Sequence, residues 1–296
     1  MKLEKILYAT DLSPGADDAG RRALQLARDH GANLRVINVL NAPVVNEEVM
    51  RRLRGSPGDM MTDLAEATEV AMRERMQALG ASDDEDIDYH CIQGQGHKRI
   101  LAEARSCGAD LIVVGSHGDR TLQDVLLGTT TQNLVHHTDR PVLVVKRPVD
   151  GPYERVVVPV DFSKRTRSAL ELGASLAPGK KLHAVHAHNL DALDNVLRNR
   201  VERKEVERIK SEVRAERQQE LDAFLMSCDV SPEQVEGYLR TGYAPDVLDR
   251  AVLEWKAQLV VMGTHGRNRL QDALLGGVAR RVVHQVKDAD VLLVRA

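Results

Sequence analysis

The chain is short of cysteine, of long apolar runs and of excess charge of either sign, and each shortage closes off a class of function. Cys91, Cys107 and Cys228 are odd in number and lack C-x-x-C spacing, so neither a disulfide scaffold nor a zinc ribbon is expected. With 41 basic and 44 acidic residues the formal net charge is −3, and nothing in it recommends nucleic acid or an anionic membrane as a partner. No apolar run reaches the ~18 residues that a membrane-spanning helix requires. The strand pattern begins at Ile6, which leaves no room for a signal peptide, and a cytoplasmic location is expected. A G-x-x-x-x-G-K-[ST] phosphate loop is missing too. Gly94-x-Gly96 lacks the third glycine of a dinucleotide fingerprint and reads as a strand-to-helix turn.

What the chain does contain, it contains twice. L-Q-D-V-L-L-G at Leu122–Gly128 returns as L-Q-D-A-L-L-G at Leu270–Gly276. Gly115-Ser116-His117-Gly118 returns as Gly263-Thr264-His265-Gly266. A length of 296 residues, at ~150 residues per domain, also predicts two domains. We place them at 1–148 and 153–296, joined by a proline- and glycine-bearing linker over Arg147–Tyr153.

Within each half, continuous apolar runs alternate with helical patterns. In the first, Ile6–Thr10, Leu34–Leu40, Ile87–Ile92, Leu111–Val114 and Val142–Val145 read as strands. A loop is expected over Asn41–Asp59, followed by a helix over Met61–Leu79. In the second, Val156–Val160, Lys181–Ala187, Val235–Leu239, Leu259–Met262 and Val291–Val294 read as strands. Helices are expected over Ser168–Leu176 and, at greater length, Val196–Met226. Unbroken apolar strands alternating with helices predict an α/β fold with an open parallel sheet in each half and helices on both faces.

Ligands of such sheets sit beyond the carboxyl ends of the strands, where strand order reverses. Asp11 follows the first strand and Gly115 the fourth. Gly115 and Gly118 permit a tight turn, and Gly128, Thr129 and Thr130 open a helix whose free N–H groups suit an anion, phosphate above all. A lone Gly-x-x-Gly would be only a turn. The paired spacing with a helix-start glycine and hydroxyls favours a nucleotide site.

The pattern G-x-x-G-x9-G-[ST], following an acidic residue after strand one, resembles the ATP-binding signature of the universal stress protein family. The resemblance spans nearly the whole chain, as two tandem family domains. It implies the strand order 3-2-1-4-5 of the adenine nucleotide alpha-hydrolase-like fold, and ATP or a related adenine nucleotide, with magnesium as a companion ion. It further implies an intrachain pseudo-dimer and a homodimer. Carried over by motif, Ala9, Thr10 and Asp11 lie near the adenosine and metal–phosphate region, and Val39 offers backbone groups to adenine. Gly115, Ser116, Gly118, Gly128, Thr129 and Thr130 then wrap ribose and phosphates.

In the second half Asp161, Gly263, Gly266 and Gly276 match, but Gly277 stands where a hydroxyl is expected, which predicts a weaker or repurposed site. The resemblance thus implies a nucleotide-dependent stress sensor or scaffold that is not an enzyme or hydrolyses ATP slowly. Two other readings stand beside it. One is a slow ATPase or nucleotide-processing enzyme using His117 or His265 as base, for which no partner residue is visible. The other is a metal- or apolar-ligand module in the second half. For zinc, His186 and His188 share one strand face while His183 points away, so a third ligand would have to come from elsewhere.

Overall fold

The structure, a computed structural model, describes residues 2–40, 57–116, 127–189, 203–264 and 275–295. The chain divides into two compact units, Lys2–Asp150 and Gly151–Ala296. The first runs β1 (Lys5–Ala9), α1 (Asp17–His30), β2 (Asn33–Leu40), α2 (Pro57–Ala78), β3 (Ile87–Gln93), α3 (Gly96–Ser106), β4 (Leu111–Gly115), α4 (Thr129–His137) and β5 (Val142–Val145). All its strand pairs are parallel, in the order β3-β2-β1-β4-β5. Along β1 and β4, Ile6, Leu7, Ile112 and Val113 are all fully buried. Successive strand side chains point to opposite faces, so both faces of the sheet are covered. Strand order reverses where β1 lies between β2 and β4, with Ala9 paired to Ile37 on one side and Val114 on the other.

The second unit repeats this plan with β6 (Val156–Pro159), α5 (Lys164–Leu176), β7 (Leu182–His188), α6 (Arg203–Met226), β8 (Val235–Thr241), α7 (Ala244–Glu254), β9 (Leu259–Gly263), α8 (Gly277–Gln285) and β10 (Asp290–Val294). Its parallel order is β8-β7-β6-β9-β10. The order 3-2-1-4-5 therefore holds in each unit.

Local chemistry sets the helix ends. Gly31 takes the left-handed conformation, φ 62°, that closes α1, where a side chain would be strained. Helix α5 starts four residues before the expected Ser168, because the Ser163 hydroxyl accepts from the Thr166 N–H at 3.2 Å and caps a new first turn. Helix α2 begins at Pro57, inside the expected loop, since a proline in the first turn gives up an N–H that has no intrahelical partner there. Along α6, Val206 and Leu221 are buried while Ile209 and Val213 are half-buried. Its far end packs tightly: a Cβ on Gly237 of β8 would stand 2.8 Å from Leu225. Tyr153, expected in the linker, is buried and donates to the Asp290 carboxylate at 2.6 Å. The part of the long helix expected before Arg203 lies outside the described residues.

Candidate functional site

In the first unit the chain leaves β1 through a fixed turn. The Thr10 N–H donates to the Ile37 carbonyl at 2.9 Å, and the Asn38 amide donates to the Thr10 carbonyl at 2.9 Å. Asp11 Oδ1 accepts from the Ser13 N–H at 3.1 Å and the Ser13 hydroxyl at 2.6 Å, while the Thr10 hydroxyl accepts from the Leu12 N–H at 3.0 Å. Leu12 between them has φ 62°, a strained value for a side-chain-bearing residue. The turn leaves Asp11 exposed, two residues beyond Ala9 at the strand-order reversal.

Across that reversal, β4 ends at Gly115. The Ser116 N–H donates to the Val145 carbonyl at 3.0 Å, and the Gly128 N–H returns to the Ser116 carbonyl at 2.9 Å. The buried Thr131 hydroxyl donates to the Gly115 carbonyl at 3.0 Å. These bonds fix the start of α4 beside the end of β4, with Thr129 and Thr130 exposed. The first-turn N–H groups there have no intrahelical acceptor. A Cβ on Gly96, the first residue of α3, would lie 3.2 Å from Thr130, so two helix N-termini meet at this point. Two neighbouring helix starts with hydroxyls beside them have the chemistry that suits an anion.

The second unit keeps this skeleton and changes its side chains. The Gly276 N–H donates to the Thr264 carbonyl at 2.7 Å, and the Thr264 N–H to the Val294 carbonyl at 3.1 Å. His186 takes the place of Asn38, its Nδ1 lying 2.8 Å from the Val160 carbonyl. Phe162 matches Leu12, with φ 60°. Asp161 Oδ1 accepts from the Thr166 hydroxyl at 2.5 Å and the Ser163 N–H at 3.0 Å. Around these groups opens a cavity of about 400 Å³, lined among others by Val160, Val185, Leu248, Met262, Val278 and Ala279.

The chain matches the universal stress protein family twice, over residues 2–146 and 152–295. The chain belongs to the universal stress protein family. It is a tandem-domain member: a universal stress protein of Mycobacterium bovis is 27% identical over 301 residues, covering 94% of this chain and 91% of the relative. A single-domain universal stress protein of Methanocaldococcus jannaschii is 26% identical over 155 residues, 49% of this chain and 95% of its own. A solved universal stress protein from Archaeoglobus fulgidus aligns with TM-score 0.66 at 20% identity, over 99% of this chain and 98% of its own, and so shares the fold.

Placed in this family fold, Ala9, Thr10, Asp11, Gly115, Ser116, Gly128, Thr129 and Thr130 all stand at the carboxyl end of the first sheet or at the start of α4. Val39 is half-buried near the end of β2. Asp161, Gly263, Gly276 and Gly277 take the corresponding places in the second unit, all four lining its cavity. Gly118, Gly266, His117 and His265 lie outside the described residues. Asn38, its counterpart His186 in the structural role, and Gly96 were not singled out for this site by sequence. The signal available was a polar residue, Asn38 or His186, at the same place near the end of the second strand in both copies.

The histidines of β7 go separate ways. His183 stacks on Trp255 at 4.5 Å, and burial lowers its pKa. His188 is buried with Nε2 3.4 Å from the Thr241 hydroxyl. Its pKa is also lowered, first by burial and then by the nearby His186. Of the two rings named for a metal, His186 meets the Val160 carbonyl through Nδ1 and His188 lies beside Thr241. Among the described residues no group of three or more His, Cys, Asp and Glu side chains could hold a metal ion, and no helix is long and apolar enough to cross a membrane.

Proposed function

We propose that this protein binds ATP or a related adenine nucleotide at the first unit and acts in the cytoplasm as a nucleotide-dependent stress sensor or scaffold. The observation that carries the reading is the meeting of the α4 and α3 N-termini at Thr130 and Gly96, across from the Asp11 turn. The residues present suit the nucleotide's chemistry. Thr129 and Thr130 offer N–H groups and hydroxyls to phosphate oxygens, while Ala9, Thr10 and Val39 offer a half-buried wall to the nucleoside. When bound, the nucleotide supplies the polyphosphate anion, and a magnesium ion accompanying it would be met by Asp11. Gly118 completes the phosphate turn in this reading, by the family motif.

Slow turnover or none belongs to the same reading. Donors that hold the phosphates equally in ground and transition states do not raise the rate. The sequence assigns neither a phosphate-loop lysine nor an arginine finger. Assembly is part of the proposal too, as a pseudo-dimer within the chain and a homodimer between chains. The test is an ATP turnover assay on purified protein beside a sedimentation measurement of mass. Steady turnover of ~1 per second or more, in the ordinary enzyme range, would replace the binding reading with the enzymatic one. A monomer at micromolar concentration would remove the homodimer.

A further inference from the structure

The second unit's cavity, at about 400 Å³, is in the size range of small-molecule sites. Its side chains differ from those of a phosphate cradle. Where α4 begins Thr129-Thr130-Thr131, α8 begins Gly277-Val278-Ala279, so all three hydroxyls are gone and two apolar side chains line the space instead. Val160 likewise replaces Thr10, and Val185, Leu248 and Met262 extend the apolar wall.

The polar side chains that line the cavity are Asp161, His186, Thr166 and Thr264, and the Thr166 hydroxyl is spent on Asp161 at 2.5 Å. A carbonyl oxygen can only accept, so the 2.8 Å bond to Val160 places the ring proton of His186 on Nδ1. The ring lies against Phe162 in a tilted contact, with centroids 4.5 Å apart and planes at 45°. The atom left to meet a ligand is Nε2, which carries a lone pair in the neutral ring. Asp161 lines the same cavity, and only its Oδ1 is engaged among the described residues. A carboxylate and a lone pair in apolar surroundings repel a polyphosphate and attract a donor. The N–H groups at the start of α8 can be met by water or by one small acceptor.

We infer that this cavity binds an uncharged, mainly apolar small molecule carrying a hydrogen-bond donor, held by His186 and Asp161, and that it rejects phosphorylated ligands. The inference stands on the second unit alone and does not depend on ATP binding by the first.

The test uses N-phenyl-1-naphthylamine, a neutral apolar probe with one N–H that brightens on leaving water, titrated into the full chain. Saturable binding of one probe per chain is expected, unchanged by excess ATP. Ala244→Phe, which fills the cavity from the start of α7, should weaken it at least about tenfold. His186→Asn keeps the bond to Val160 in the manner of Asn38 but removes Nε2, and should weaken the probe about fivefold, the worth of one hydrogen bond. Thermal unfolding checks that both variants fold. Should they not, the methyl resonance of Met262 in the unaltered protein reports directly and should shift as the probe is added. The inference is overturned by absence of saturable binding, by displacement with ATP, by full affinity in a folded Ala244→Phe or His186→Asn protein, or by a Met262 signal that stays put while the probe binds.

Discussion

The two units carry the same backbone hydrogen bonds around different side chains. Gly128 returns to Ser116 as Gly276 returns to Thr264, and Asn38 holds the Thr10 carbonyl as His186 holds that of Val160. Between these fixed points one copy presents Thr129, Thr130 and Thr131 and the other Gly277, Val278 and Ala279. The skeleton of the crevice is set by main-chain geometry, and on the reading proposed above ligand class is decided by a few side chains hung upon it. A duplicated fold can keep the first while it changes the second.

The largest expected break in the comparison is at the Gly-x-x-Gly motifs. Gly118→Val should weaken ATP about 100-fold or more by filling the space for phosphates, while Gly266→Val should change it less than about threefold. Calorimetric titration of both variants checks this, and the reverse pattern would move the nucleotide to the second unit. Next in size is a graft. Gly277→Thr with Val278→Thr restores two hydroxyls, and a Cβ at Gly277 meets nothing within 4 Å, so the fold should accept it. ATP affinity at the second unit should rise about tenfold, the value of one to two hydrogen bonds. No gain would mean that Val160, Ala279 or the His186 wall decides the class instead.

A smaller effect concerns stability. Thr131→Val removes the donor to the Gly115 carbonyl in a buried position and should cost about 1–2 kcal/mol by denaturant unfolding. A loss within error would show that the β4–α4 junction is held by its backbone bonds alone, as in the second unit where Ala279 has no hydroxyl to give.

Smallest is the response to pH, in which the halves should behave alike. Burial is the leading cause of lowered pKa values at His30 and His97 in one unit and at His183 and His188 in the other. Because the folded pKa lies below the unfolded one, the unfolded chain takes up protons first. The stability contributed by these neutral rings is therefore complete above ~6.5 and falls as pH drops below it. Thermal midpoints should be lower at pH 5.5 than at pH 7.5, and an unchanged or higher midpoint at pH 5.5 would contradict the sign.

Much of the fold was legible as pattern. The unbroken runs at Ile6, Leu111, Val142 and their second copies announced buried parallel strands, and the repeat of L-Q-D-x-L-L-G announced two units. The glycines and threonines at Gly128–Thr130 announced the helix start, because that signal is local. What escaped depends on neighbours distant in sequence. The contact of Gly96 with Thr130 needs α3 and α4 docked side by side. The Asn38 bond to Thr10 needs the β1–β2 register, and the left-handed Leu12 and Phe162 are held by the turn around them. Helix starts at Pro57 and Lys164 were misplaced because a cap or a first-turn proline looks like loop composition until its hydrogen bonds are seen.

The claim that the two copies have parted in ligand chemistry is tested most directly by counting nucleotides. Native mass spectrometry of the full chain titrated with ATP should saturate at one nucleotide per chain, with that adduct lost in Gly118→Val. Two nucleotides binding with equal affinity would show that the threonines of the first unit make no difference, and would contradict the account.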